Sequence, residues 1–185
     1  MKHFTLDFHN DTRLFLIEDF FSETLARDIL TLFKTGPADS TVWEVIQGQT
    51  HEVDRYHYTG TGPVLGQIVR YASSVETQTY FSALLGKSLE FIGVALWLDQ
   101  AGYSIPPHYD LDPYQYAAQI YITDTPNVIS GTTIYNSQYQ PLAQLPLRNN
   151  FGYFIDRTTT VLHGIATPIP ADCSRYSVYV KYQAI

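Results

Sequence analysis

Cysteine is nearly absent: Cys173 stands alone in 185 residues, so no disulfide can form within the chain. That fits a reducing compartment, and a cytoplasmic location is the expectation. Basic residues are also scarce, with 11 Lys and Arg against 18 Asp and Glu and a net charge of −7. No run of Lys or Arg occurs. A nonspecific nucleic-acid binder needs a basic surface that displaces counterions, so no nucleic-acid partner is expected. Polybasic attachment to a membrane is equally unsupported. Long apolar runs are missing too. Stretches such as Ile92 to Leu98 are far too short to span a bilayer, so no membrane partner is expected. Lys2, His3, Asp7, His9, Asp11 and Arg13 crowd the N-terminus and leave no signal-peptide core. No feature sets an oligomeric state.

Aromatic residues, by contrast, make up 15% of the chain, with 15 tyrosines. Tyrosine suits half-buried strands, where the ring packs and the hydroxyl finds a polar partner. The texture changes along the chain. Arg13 to Ile17 reads as a short strand. Ser22 reads as an N-cap, and Leu25, Ile29, Leu32 and Phe33 recur at helical spacing until Gly36-Pro37. A second helix is expected from Pro63 through Ala72, and a third over Gln78 to Leu85, ending at Gly86. Beyond Gly86 the pattern is short strands: Leu89 to Leu98, Tyr116 to Thr123, Thr132 to Asn136, Phe151 to Ile155, Val161 to Ala166 and Arg175 to Gln183. The fold class expected is α+β, mainly β: one domain, 1–185, with a helical support region over 1–88 and a β-barrel or sandwich core over 89–185.

His108-Tyr109-Asp110 is the pattern that carries chemistry. A strand sends alternate side chains to one face, so His108 and Asp110 can aim a nitrogen and an oxygen at one point. With a second imidazole from His163 they would form the two-His, one-carboxylate set of non-haem Fe(II) sites, which keeps open positions on the metal. Alone, His108 reads equally as a loop histidine and His163 as a satisfied core or turn histidine. Arg175 starts the last strand and shares a face with Ser177. A guanidinium beside a hydroxyl clamps a carboxylate well, and the plainer alternative is a surface arginine paired with Asp172 or Asp156. His51 and His57 lie in a polar stretch that reads as a solvated loop or a lid. Tyr103 and Tyr135 are candidates for a pocket wall, Trp97 for the core, and Cys173 for an idle thiol. The loops 47–62 and 124–130 are expected to frame an entrance.

Taken in order, Gly102-x5-His108-x-Asp110, Tyr121-Ile122-Thr123-Asp124, Ser130-Gly131-Thr132-Thr133-Ile134-Tyr135, His163-Gly164 and Arg175-x-Ser177 resemble the motifs of the Fe(II)/2-oxoglutarate-dependent dioxygenases, prolyl-hydroxylase-like branch. The resemblance implies a double-stranded β-helix, or jelly-roll, barrel braced by N-terminal helices. It implies that His108, Asp110 and His163 hold Fe(II) and form the catalytic centre. It implies that Arg175, assisted by Ser177 and Tyr121, binds 2-oxoglutarate as cosubstrate, with ascorbate a candidate reductant. The activity implied is hydroxylation of a C–H bond in a peptidyl or small-molecule substrate, with release of succinate and CO2. Halogenating members lack the carboxylate ligand, so Asp110 points to hydroxylation. Two positions depart from the pattern: Asp99 replaces a tyrosine that often precedes the glycine by three residues, and Ser130-Gly131 replaces a glycine pair. The alternatives are a cupin-like metalloenzyme without 2-oxoglutarate, in which Arg175-x-Ser177 has no task, and a non-catalytic jelly-roll binding module.

Overall fold

A computed structural model describes residues 1–8, 12–36, 39–46, 53–110, 115–125, 131–155 and 161–185. His51, Ser130 and the turn at Asp156 to Thr158 lie outside the described residues, as do parts of both expected entrance loops.

The helices form where capping and periodicity place them. Helix α1 spans Glu23–Thr35, and the Ser22 side chain accepts a hydrogen bond from the Leu25 N–H, satisfying one orphan donor of the first turn. Leu25, Ala26, Ile29 and Phe33 form its buried stripe. Helix α2, Pro63–Ala72, begins on the expected proline. Helix α3 runs Val75–Leu85. It starts three residues before the sequence expectation, because Ser74 caps it by accepting from the Thr77 N–H. Gly86, in the left-handed region at φ 65°, ends it.

Among the described residues twelve strands build two antiparallel sheets. The larger has eight, in the spatial order β1 (Lys2–Phe8), β2 (Thr12–Glu18), β10 (Phe151–Ile155), β7 (Gln115–Ile122), β12 (Arg175–Ala184), β5 (Leu89–Asp99), β4 (Arg55–Tyr58) and β3 (Trp43–Ile46). The smaller has four: β6 (Ile105–His108), β11 (Leu162–Ile165), β8 (Thr133–Tyr135) and β9 (Pro141–Gln144). The stretch 1–88 is therefore more than a helical support. It carries four strands, β1 to β4, which extend the large sheet at both edges. Arg55 to Tyr58, within the polar stretch read as a loop, pairs with both β3 and β5. Charged and histidine side chains hide its strand character, which comes from its neighbours rather than from propensity.

Alternation along β12 divides the molecule. Val178, Val180 and Tyr182 face the helices and join Ile29, Phe33, Ile68, Phe81, Leu96, Leu98 and Ile120 in the main apolar core. Arg175 and Ser177 face the other way and are also buried, between the sheets. Among the described residues eight strands follow Gly86, in agreement with the expected strand-rich half, and their hydrogen bonding resolves into two sheets rather than one closed ring. Among the described residues no helix is long and apolar enough to cross a membrane.

Candidate metal centre and cavity

His108 and His163 meet because β6 and β11 pair in register, each histidine opposite the other. Their ring centroids are 4.6 Å apart. Asp110, two residues past His108, reaches both: its Oδ1 is 3.9 Å from His108 Nε2 and its Oδ2 is 3.7 Å from His163 Nε2. One donor atom from each of the three residues lies within 4.8 Å of the other two.

The imidazole tautomers follow from their backbone partners. His108 Nδ1 is 3.0 Å from the Pro106 carbonyl oxygen, and His163 Nδ1 is 3.0 Å from that of Val161. A carbonyl only accepts, so each Nδ1 carries a proton, and in the neutral ring each Nε2 keeps its lone pair. Both lone pairs then belong to the atoms nearest Asp110. A metal-binding imidazole is commonly oriented in this way by a bond from its other nitrogen. Two neutral nitrogens and one carboxylate make a donor set that suits Fe(II). His163 is buried, whereas His108 and Asp110 are about one-third exposed, so the centre sits at the mouth of a cavity.

That cavity, about 400 Å³, lies between the sheets, and its wall includes the three candidate ligands together with Thr132, Arg175 and Gln119. Arg175 is 3% exposed. Its Nη1 donates to Asp99 Oδ2 at 3.0 Å and its Nη2 to Thr132 Oγ1 at 3.2 Å. The alternative of a surface arginine paired with Asp172 or Asp156 is thereby set aside in favour of a buried one paired with Asp99. Burial opposes the charge on Arg175, but Tyr121 and Asp99 outweigh it and raise the pKa, so the guanidinium stays charged.

Thr132 is the hub of a directed chain of hydrogen bonds. Its backbone N–H donates to the Tyr121 hydroxyl at 3.0 Å. The Tyr121 and Thr132 hydroxyls are 2.6 Å apart, those of Thr132 and Tyr153 are 3.1 Å apart, and Tyr153 donates to Gln119 Oε1. Gln119 Nε2 donates to Ser177 Oγ at 3.1 Å. Since Tyr153 spends its proton on Gln119, it accepts from Thr132, and Tyr121 then donates to Thr132. Every proton has one direction, which fixes the Thr132 oxygen as an acceptor for Arg175. Burial pushes the Tyr153 hydroxyl well above the ordinary tyrosine value, so Tyr153 stays protonated. Ser177 and Tyr121, expected beside the cosubstrate, stand one layer behind the cavity wall and act on it through Gln119 and Thr132.

Other expectations divide. Tyr103 lines the cavity, and Tyr135 is not among the lining residues. Trp97, expected in the core, lines the cavity instead, with the His57 ring stacked on it at 4.5 Å. Its place on β5 alternates with Leu96 and Leu98, which take the core side. Arg55, Asp99, Gln119 and Tyr153 were missed as site residues. A glutamine in the middle of an apolar strand was the available signal for Gln119. Gly102, at φ 84°, makes the turn between β5 and β6, its N–H donating to the Ile169 carbonyl at 2.7 Å.

Solved structures share this fold. A 2OG-Fe(II) oxygenase family oxidoreductase from Burkholderia pseudomallei aligns over 92% of this chain and 85% of its own, with a TM-score of 0.71 and 13% identity. The fold is that of the 2-oxoglutarate- and iron-dependent oxygenases. A prolyl-4-hydroxylase from Pseudomonas putida aligns over 92% of this chain and 91% of its own, with a TM-score of 0.65 and 12% identity. HygX from Streptomyces hygroscopicus, solved with nickel, 2-oxoglutarate and hygromycin B, aligns over 92% and 82%, with a TM-score of 0.64 and 9% identity. At these identities the likeness is one of fold. No family model and no curated protein matches the sequence. The jelly-roll expectation is thus met by an oxygenase fold.

Proposed function

We propose that this protein is an Fe(II)- and 2-oxoglutarate-dependent oxygenase that hydroxylates a C–H bond. The reading rests on one observation: His108, Asp110 and His163 converge at the mouth of a cavity that also holds the buried guanidinium of Arg175. Prolyl-4-hydroxylases and HygX share the fold, and the latter holds both a metal and 2-oxoglutarate.

In this reading His108, Asp110 and His163 hold the metal, and Arg175 receives the far carboxylate of 2-oxoglutarate on its hydrogen-bonding edge beside Thr132. Iron and 2-oxoglutarate, when bound, would supply the activation of O2, the oxidant: one oxygen atom goes to the substrate C–H bond and the other to 2-oxoglutarate, which leaves as succinate and CO2. The protein's part is placement and exclusion of water. Asp99 and the Tyr121–Thr132 pair hold Arg175 in position, so no reorganisation is needed when the anion arrives. The Nδ1 bonds to Pro106 and Val161 fix both imidazole planes. The retained carboxylate at Asp110 favours hydroxylation over halogenation.

The test is an anaerobic titration with Fe(II) and then 2-oxoglutarate. A weak visible charge-transfer band is expected in the wild type and absent from His108→Ala. Arg175→Ala should raise the 2-oxoglutarate requirement far more than the metal requirement. Wild-type 2-oxoglutarate decarboxylation in His108→Ala or Asp110→Ala would overturn the reading.

A further inference from the structure

Asp99 is one carboxylate serving two guanidiniums. Beyond its bond to Arg175, its Oδ1 lies 2.8 Å from Nε of Arg55, across the β4–β5 pairing. Arg55 packs against two rings: its guanidinium lies over the Trp97 ring at 4.1 Å and 5.7 Å from the Tyr103 ring centre. Only its Nε is engaged by Asp99. Among the described residues its terminal nitrogens make no hydrogen bond, and Arg55 lines the cavity. Lys181, further along β12 on the face of Arg175, also lines the cavity and has no ion pair among the described residues.

The charge count of the wall is unusual for an acidic protein. Arg55, Arg175 and Lys181 face the cavity, against Asp110 in the wall and Asp99 behind it. The two charges of a ferrous ion and the two carboxylates of 2-oxoglutarate cancel each other, so loading the site leaves one positive charge in excess. A largely desolvated cation calls for an anion, and the outer fork of Arg55 offers two parallel N–H donors, the geometry that a carboxylate fits.

We propose that Arg55, held by Asp99 and backed by Trp97, is a substrate-anchoring residue, and that the substrate is a small molecule with one free carboxylate rather than an internal residue of a peptide. This deepens the oxygenase reading and rests on it. Trp97 and Tyr103 flank the anchor with aromatic surface, so the body beside the carboxylate is apolar. Lys181 supplies the long-range field.

Trp97 makes this measurable without turnover. The other tryptophan, Trp43, is 4% exposed in the main core, so ligand-induced fluorescence changes report Trp97. Metal-free protein is titrated with 3-phenylpropionate, L-leucine and L-proline, and in parallel with their carboxamides. The titrations are repeated with Mn(II) and saturating 2-oxoglutarate. Calorimetry follows 2-oxoglutarate itself. At least one acid should bind saturably and survive 2-oxoglutarate saturation, and its amide should bind at least tenfold more weakly. Arg55→Gln should remove that preference and leave 2-oxoglutarate affinity within twofold, while Arg55→Lys keeps part of it. Equal binding of acids and amides, no binding by any acid, or displacement by 2-oxoglutarate overturns the anchor. The wild-type acid and amide comparison decides even if Arg55→Gln does not fold. Failure of 2-oxoglutarate to bind the Mn(II)-loaded wild type would instead strike the oxygenase reading.

Discussion

Asp99 and Arg175 are register partners on β5 and β12, joined by a 3.0 Å hydrogen bond in a region where neither side chain is more than 3% exposed. Asp99 also holds Arg55. Removing this one carboxylate strands a buried cation, Arg175, and a partly buried one, Arg55. Truncating one partner of a buried ion pair costs about 3–5 kcal/mol, so Asp99→Ala should be destabilised on that scale in urea unfolding. Asp99→Asn keeps the shape and an acceptor oxygen and should lose less. Equal stability of wild type and Asp99→Ala would show that the cluster contributes nothing to folding.

Thr132 joins Arg175 to Tyr121 and Tyr153 through one hydroxyl. Thr132→Val keeps the volume and deletes that hub. A buried donor or acceptor left unmet costs about 1–3 kcal/mol, and the Arg175 fork loses its second anchor. Stability should fall by that amount, and 2-oxoglutarate should bind several-fold more weakly in calorimetry. Mn(II) affinity should not change, because the Thr132 hydroxyl is spent on Tyr121, Tyr153 and Arg175.

His57 supplies the pH-dependent prediction. Its pKa is lowered, first by burial, with Lys181 and Arg55 adding to the effect and Glu44 opposing it. The folded protein therefore resists protonation that the unfolded chain accepts. Between the lowered folded value and the ordinary histidine value the unfolded state binds more protons, so stability rises with pH across that window. It is fully present above the ordinary value and is lost as pH falls toward the folded one. The His57 proton resonances should titrate below the ordinary midpoint in NMR. In His57→Gln the acid-side loss of stability should shrink.

Much of this was legible because patterns repeat. The Ser22 cap, the Pro63 start and the Gly86 stop marked the helices, and alternation along β12 assigned Arg175 and Ser177 to a buried face. The convergence of the three candidate ligands was legible because His108 and Asp110 are two apart and His163 stands on a strand that pairs beside them. The polar half of the site was not. Arg55 lies on a strand without apolar alternation, and its role depends on Asp99 across a sheet edge. Tyr121 and Ser177 matched a motif, yet their hydroxyls are turned to Thr132 and Gln119. Which oxygen faces a cavity is settled by neighbours contributed from other strands, and a single sequence carries no direct trace of that.

Gly164, next to His163, separates geometry from chemistry at the candidate metal centre. A Cβ added there would lie 2.7 Å from the Ile105 carbonyl oxygen and 3.0 Å from that of Pro106. Both are backbone atoms of β6, so the strand must move rather than a side chain. Since β6 carries His108 and β11 carries His163, Gly164→Ala should spread the two Nε2 atoms with every ligand still present. Disturbing the supports of metal ligands weakens binding by about 10–100-fold. Mn(II) affinity measured by EPR should drop in that range, while 2-oxoglutarate binding in the absence of metal holds, because Arg175 sits on β12 in the other sheet. Undiminished Mn(II) binding in a folded Gly164→Ala protein would mean that the paired strands do not set the spacing of the imidazoles.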